Sequence, residues 1–332
     1  MLPPPDGIFS GRALSRAERV QIAVLIGVAA AAVTWIAYQL VPDMLARDFT
    51  YPWRGARALL EGLDPYREIH PAGPPPNDMY FMYPLTAAMA AVPFAWPSAQ
   101  AGGAIFAGIG AGALAYALSA TAGLRHFWLF MSPPFGLAVV LGQWSPILTA
   151  AALACPLSWL LTAKPTIGLP LFLYRPTKQS VALCTLFVAI SLAWQPMWPI
   201  EWWEATRTVQ EHYAPALRPY GFVALLALVK WRRPEARLVA GMALVPQNLY
   251  FYDQLPLFLT AASGRRTLLL TVLSWVAWIG AHVGCATPVY CGREGETWVI
   301  LLLYVPAAAM SVLDIETMNR WRERWGAYRS HR

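Results

Sequence analysis

Apolar segments recur along the whole chain, and that pattern limits the fold more than any single motif. They fall at 20–41, 79–96, 100–121, 126–141, 143–155, 157–173, 179–198, 215–230, 237–251, 254–264, 267–286 and 297–314, with short breaks between them. A helix needs about 20 apolar residues to cross a bilayer, and only helices or closed barrels satisfy every backbone polar group there. The run from Val20 to Val41 meets that length. Several others fall short of it and read as tilted, broken or re-entrant. The chain is 57% hydrophobic and only 13% charged, against roughly 25% charged in soluble domains. No polar segment is long enough to enclose a core of its own. The expected fold is an all-α polytopic membrane protein, a single domain over 1–332 with about 10–12 spans.

Charge gives the expected orientation. Arg12, Arg16 and Arg19 precede the first run, which is too long for a signal peptide and reads as a retained helix after a cytoplasmic 1–19. If every run crosses, the cytoplasmic breaks include Arg175–Lys178, Lys230–Arg237, Gly264–Arg266 and the basic tail 315–332. These are the most basic breaks, as the positive-inside rule requires. The external breaks then include 42–78, 199–214 and 287–296. Arg125–His126 alone falls on the wrong side. The net charge of +7 is accounted for by these turns, so no nucleic-acid partner is expected.

The first external loop concentrates charge: Arg47, Asp48, Arg54, Arg57, Glu61, Asp64, Arg67, Glu68 and Asp78. Asp48 lies just past the first span beside Arg47, which would favour its ionised form; an interfacial ion pair is the plainer reading of the two. Residues 52–62 and 200–213 mix Trp with charges and read as helices on the membrane surface. Lys164 stands inside an apolar run, just before Pro165. A buried ammonium there calls for an anionic partner or ligand, unless it snorkels to the surface. Arg54, Arg57 and Arg207 are alternative phosphate contacts. Gln247, Asn248, Tyr250, Tyr252, Asp253 and Gln254 interrupt an apolar region and could bind a sugar or simply form a polar turn. Gln143 and Tyr83 either face a cavity or cap and anchor their helices; the twelve-span scheme puts Gln143 near the cytoplasm. Cys285 and Cys291 flank ATPVY, where a disulfide and free thiols are both open. No His or carboxylate cluster has metal-ligand spacing, so no cofactor or metal is expected, with a divalent cation left open.

Several segments in order carry a resemblance: DFTYPWRGARALLEGLDPY and FMYPL, then LGQWSPILTAAAL at 141–153, LLTAKPTIGLPLFLYRP at 160–176 and VPQNLYFYDQLPLFL at 245–259. Over roughly residues 15–315 the chain resembles glycosyltransferase family 87, the polyprenol-phosphate-mannose-dependent mannosyltransferases of the GT-C superfamily. The resemblance implies a GT-C bundle in a bacterial inner membrane with its active site facing the periplasm. It implies Asp48 as general base in an inverting transfer of a hexose, most simply mannose. The donor would be a polyprenyl-phosphate sugar and the acceptor a lipid or glycan. Family members commonly carry a His near 246–254; this chain has none there, and His212 in the other external segment is either a substitute or an incidental histidine. The chain is shorter than is usual in the family, which favours a lipid or short glycolipid acceptor. A transporter or flippase of lipid-linked intermediates would instead spread charges along a path through the membrane. A non-catalytic homologue is the third reading.

Overall fold

The computed structural model describes residues 14–40, 46–71, 80–208, 213–283 and 292–313. Asp78, His212, the Cys285–Cys291 pair and the tail 315–332 lie outside the described residues. Those described form helices and turns with no strand, apart from one isolated antiparallel bridge between Tyr213 and Gln247. The all-α membrane class is as expected. Among the described residues, three helices are long and apolar enough to cross a bilayer: α1 (Arg16–Leu40), α5 (Ala99–Ala122) and the continuous run Gly295–Val312. Two bent pairs raise the number to as many as five.

The pairing of α1 with α5 fixes the topology. Small residues let the two backbones approach closely, as is common between membrane helices. A Cβ on Gly27 would meet the Gly108 carbonyl at 2.9 Å, one on Gly112 the Ala23 carbonyl at 2.9 Å, and one on Gly103 the Tyr38 ring at 2.9 Å. Residue numbers rise on one helix as they fall on the other, so the pair is antiparallel. The end of α1 and the start of α5 therefore share one end of the molecule, and residues 41–98 leave and return there. This excursion holds α2 (Thr50–Leu60), α3 (Pro65–Glu68) and α4 (Leu85–Ala91), which continues as a 3-10 turn to Phe94. The expected span at 79–96 is thus no crossing. Its helical part, Leu85–Phe94, reaches about 15 Å at 1.5 Å per residue, half the hydrocarbon layer.

The 52–62 stretch is helical, as expected, but α2 is not simply laid on a membrane. It buries Pro52, Gly55, Ala56 and Leu59 against α4 and Phe81, whose ring a Cβ on Gly55 would strike at 2.8 Å.

After α5 the chain climbs back through a 3-10 turn, Phe127–Met131, and α6 (Pro133–Val140), then reverses into α7 (Ser145–Leu153) at 115°. Ser132 caps α6 by accepting from the Phe135 N–H, with Pro133 at its first position. The expected span 157–173 is two pieces, a 3-10 segment Cys155–Ala163 and α8 (Pro165–Tyr174), folded back at Lys164 so that Gly168 packs against the Leu161 carbonyl. Pro165 explains the break, since it disfavours helical backbone at the residue before it. α9 (Lys178–Trp194) then returns alongside Cys155–Ala163, started by a Thr177–Ser180 capping box. It ends 95° from α10 (Trp198–Arg207), whose Trp198 and Trp202 donate to Ser191 Oγ and the Met82 carbonyl. A 3-10 segment Gly221–Lys230, α11 (Pro234–Leu244), a 3-10 segment Phe251–Thr260, α12 (Gly264–His282), α13 (Gly292–Val299), a π-turn Ile300–Tyr304 and α14 (Val305–Val312) complete the bundle.

Two runs depart from the expected topology: 79–96 stays within the excursion between α1 and α5, and 157–173 turns back at Lys164. Arg125 now joins the basic end: it donates to the Ala262 carbonyl, as Arg175 does to Leu153, Arg237 to Leu173 and Arg233 to Ser311. Gln143 moves to the opposite end, beside Asp48.

Candidate active site

Breaks in helices deliver the site. Asp48 sits in a 3-10 turn, Arg47–Phe49, entered through Arg47 in the left-handed region (φ 53°). Phe49 anchors the turn: it is fully buried, stacked on Phe106 with centroids 4.5 Å apart and edge-on to Phe94 at 6.1 Å. The Thr50 hydroxyl accepts from the Ala46 N–H at 3.0 Å.

Gln143 follows the end of α6, where Gly142 has φ 63°. The Gln143 N–H bonds the Ala138 carbonyl at 2.8 Å and the Gly142 N–H that of Val139 at 3.2 Å, the pairing that closes many helices on a glycine. Glycine is required on a second count: a Cβ there would meet the Tyr38 hydroxyl at 2.5 Å and Phe49 Cβ at 2.9 Å. Lys164 occupies the extended break before α8, and Asp253 the first turn of the 3-10 segment Phe251–Thr260.

These side chains form one hydrogen-bonded chain. Lys164 Nζ donates to Asp253 Oδ1 at 2.8 Å and Oδ2 at 3.0 Å, and to Gln143 Oε1 at 3.2 Å. Gln143 Nε2 donates to Asp48 Oδ2, and the Tyr252 hydroxyl donates to the same oxygen at 3.3 Å. Lys164 also lies 5.2 Å from the Tyr252 ring centroid, within cation–π range, and Tyr250 stacks on Tyr252 at 5.1 Å. Tyr83 is within electrostatic reach of Asp48 and Asp253, and its carbonyl accepts from the Tyr66 hydroxyl at 2.9 Å.

Burial pushes the Asp48 carboxyl above its ordinary range. Lys164 opposes that, as do the hydrogen bonds from Tyr252 and Gln143, while the nearby Asp253 adds to it. Lys164 is thus the cation that most favours the ionised form, a part the sequence had given to neighbouring Arg47. A carboxylate lifted in this way is a stronger base near neutral pH than an exposed one. Among the described residues no group of three or more His, Cys, Asp or Glu could hold a metal ion.

The other expected contacts do not share the hydrogen bonds just described. Arg57 pairs with Glu61 at 2.9 Å on an exposed face of α2. Arg54 is half-buried near Tyr51, and Arg207 is exposed at the end of α10. Gln247 is buried as a brace, donating to the Met242 carbonyl at 2.8 Å and the Tyr304 hydroxyl at 3.3 Å. Asn248 is half-buried in the turn before Tyr250. Gly142, Tyr38 and Phe49 shape the site without having been singled out in the sequence. The one signal for them was a glycine directly before Gln143, at the end of an apolar run. Comparisons of the chain with protein-family models, curated proteins and solved structures find no match.

Proposed function

We propose that the chain is a membrane glycosyltransferase that moves one hexose, most simply mannose, from a polyprenyl-phosphate donor to a lipid or glycan acceptor. The observation that carries this reading is the convergence of Asp48, Gln143, Lys164, Tyr252 and Asp253 at the end of α1. Both hydrogen bonds to Asp48 fall on Oδ2, which leaves Oδ1 for an acceptor hydroxyl. In the proposed step Asp48 takes the acceptor proton as the acceptor oxygen bonds to the sugar C1. The bond from C1 to the phosphate oxygen breaks, and polyprenyl phosphate leaves with the electron pair. Attack opposite the leaving group inverts the anomeric centre. Phosphate needs no proton to leave, so one carboxylate suffices where glycosidases use two. It does need its charge neutralised, and Lys164 supplies that by exchanging Asp253 for the phosphate. The half-exposed Tyr250 offers an aromatic face to the sugar.

The basic end of the bundle, with Arg125, Arg175, Arg233 and Arg237, favours the cytoplasm. That orientation puts the N-terminus inside and Asp48 at the periplasmic face of a bacterial inner membrane. The helix segments between the breaks suit a GT-C-like bundle of about 10–12 membrane passes, several of them short. The buried Lys164–Asp253 pair also suits a carrier of lipid-linked intermediates, since membrane carriers use interior charges of this kind.

One assay separates the two. Purified protein in vesicles is given labelled polyprenyl-phosphate mannose and a bacterial lipid extract as acceptor. The proposal expects a mannosylated product and free polyprenyl phosphate in equal amounts. Movement of intact donor across the bilayer, with no covalent product from it or other polyprenyl-phosphate hexoses, refutes the proposal in favour of transport.

A further inference from the structure

We infer that Gln143 is a positioning residue for Asp48, its amide set by Lys164 so that it pins one carboxylate oxygen and leaves the other for a substrate hydroxyl. The inference rests on the reading of Asp48 as the reacting base and assigns Gln143 a part other than sugar binding.

A lysine ammonium only donates hydrogen bonds, and a carboxylate only accepts. Gln143 lies between them, with Oε1 on Lys164 and Nε2 on Asp48. The opposite rotation of the amide would set NH₂ against NH₃⁺ and a carbonyl oxygen against a carboxylate. Its orientation is therefore dictated by its partners and not by a free choice of rotamer. Asp253 completes the order by holding Lys164 through both its oxygens.

The backbone keeps the amide in place. Gln143 is 2% exposed, its N–H closes α6, and Gly142 before it admits no side chain. On the other side, the Tyr252 hydroxyl shares Asp48 Oδ2 with Gln143. Two donors on Oδ2 restrain the carboxylate, and Oδ1 accepts no hydrogen bond among the described residues. Each donor commits one hydrogen to Asp48, and that hydrogen serves orientation.

The test uses the full chain in vesicles and reads Asp48 directly. Infrared difference spectra of the wild type minus Asp48→Asn isolate the carboxyl stretch of Asp48 as pH is raised. Gln143→Met keeps the volume and removes the donor, so the protonated band should persist to a pH higher by about one unit or more, the effect of removing a hydrogen bond to a charged group. Tyr252→Phe removes the second donor to the same oxygen and should move the band the same way. Gln143→Met should also lower kcat with KM for the donor little changed, and the acid limb of its pH–rate profile should move up with the band. A band unmoved in both variants overturns the inference, whether or not the protein transfers sugar. A wild type without transfer activity but with the expected band shifts refutes the proposed function and leaves the positioning role standing. If Gln143→Met fails to fold, Tyr252→Phe alone decides: no shift in it overturns the claim that donors on Oδ2 hold the carboxylate.

Discussion

Removing Lys164 should destabilise the protein far more than removing Lys164 and Asp253 together. Their side chains are only 16% and 5% exposed, and the ammonium reaches both carboxylate oxygens within 3.0 Å. Lys164→Met takes away the cation and leaves Asp253 a buried carboxylate facing Asp48. Breaking a buried pair from one side costs about 3–5 kcal/mol, because the remaining charge must be desolvated without its counter-ion. For a chain of this size that corresponds to a fall of roughly 5–10 °C in midpoint. The double variant Lys164→Met/Asp253→Asn removes both charges, and such replacements are often close to neutral. The assay is thermal unfolding in detergent, followed by tryptophan fluorescence, on wild type, both single variants and the double. The expected interaction term is at least about 2 kcal/mol in favour of the pair. Additive single effects would refute the reasoning, since they would mean that the two groups do not meet in the folded protein.

Three further outcomes follow from the same geometry. Gly142→Ala places a Cβ against the Tyr38 hydroxyl and Phe49 in a backbone region unfavourable to alanine; unfolding measurements should show a loss of about 2–4 kcal/mol. Trp96→Cys, introduced on a cysteine-free background, reports the side reached by the chain between α4 and α5. Trp96 is 77% exposed, and a membrane-impermeant maleimide should label it from the same face as Asp48; labelling from the other face would restore the crossing at 79–96. The pH dependence has a defined sign. Lys164 favours the ionised Asp48 and Asp253 opposes it, so the acid limb of any Asp48-dependent rate should move to higher pH in Lys164→Met and to lower pH in Asp253→Asn.

Much of the site was legible because polar groups in apolar runs are costly and need partners. Gln143, Lys164, Tyr252 and Asp253 were visible as exceptions to their surroundings, Asp48 stood among the charges of the first loop and was singled out by the family resemblance, and the structure brings all five together. Gln247 and Asn248 looked alike in the sequence and do not join them, because polarity alone does not separate a cavity group from a brace. The topology was less legible. Hydropathy reports how apolar a run is, not where it turns back. The run 79–96 is apolar enough to suggest a crossing but helical over only ten residues. The run 157–173 hides a reversal at Lys164–Pro165. The Arg125–His126 mismatch was the sequence's own sign of the error, and the disagreement over the place of Gln143 was a second.

The most direct test of the account compares transfer of labelled hexose from a polyprenyl-phosphate donor by the purified wild type, Asp48→Asn and Asp48→Glu. Asp48→Asn keeps the shape of the site and removes the base, so turnover should fall by at least about a hundredfold, with donor binding retained. Asp48→Glu should recover part of that loss. Equal transfer by wild type and Asp48→Asn would contradict the assignment of Asp48 as the base on which the account depends.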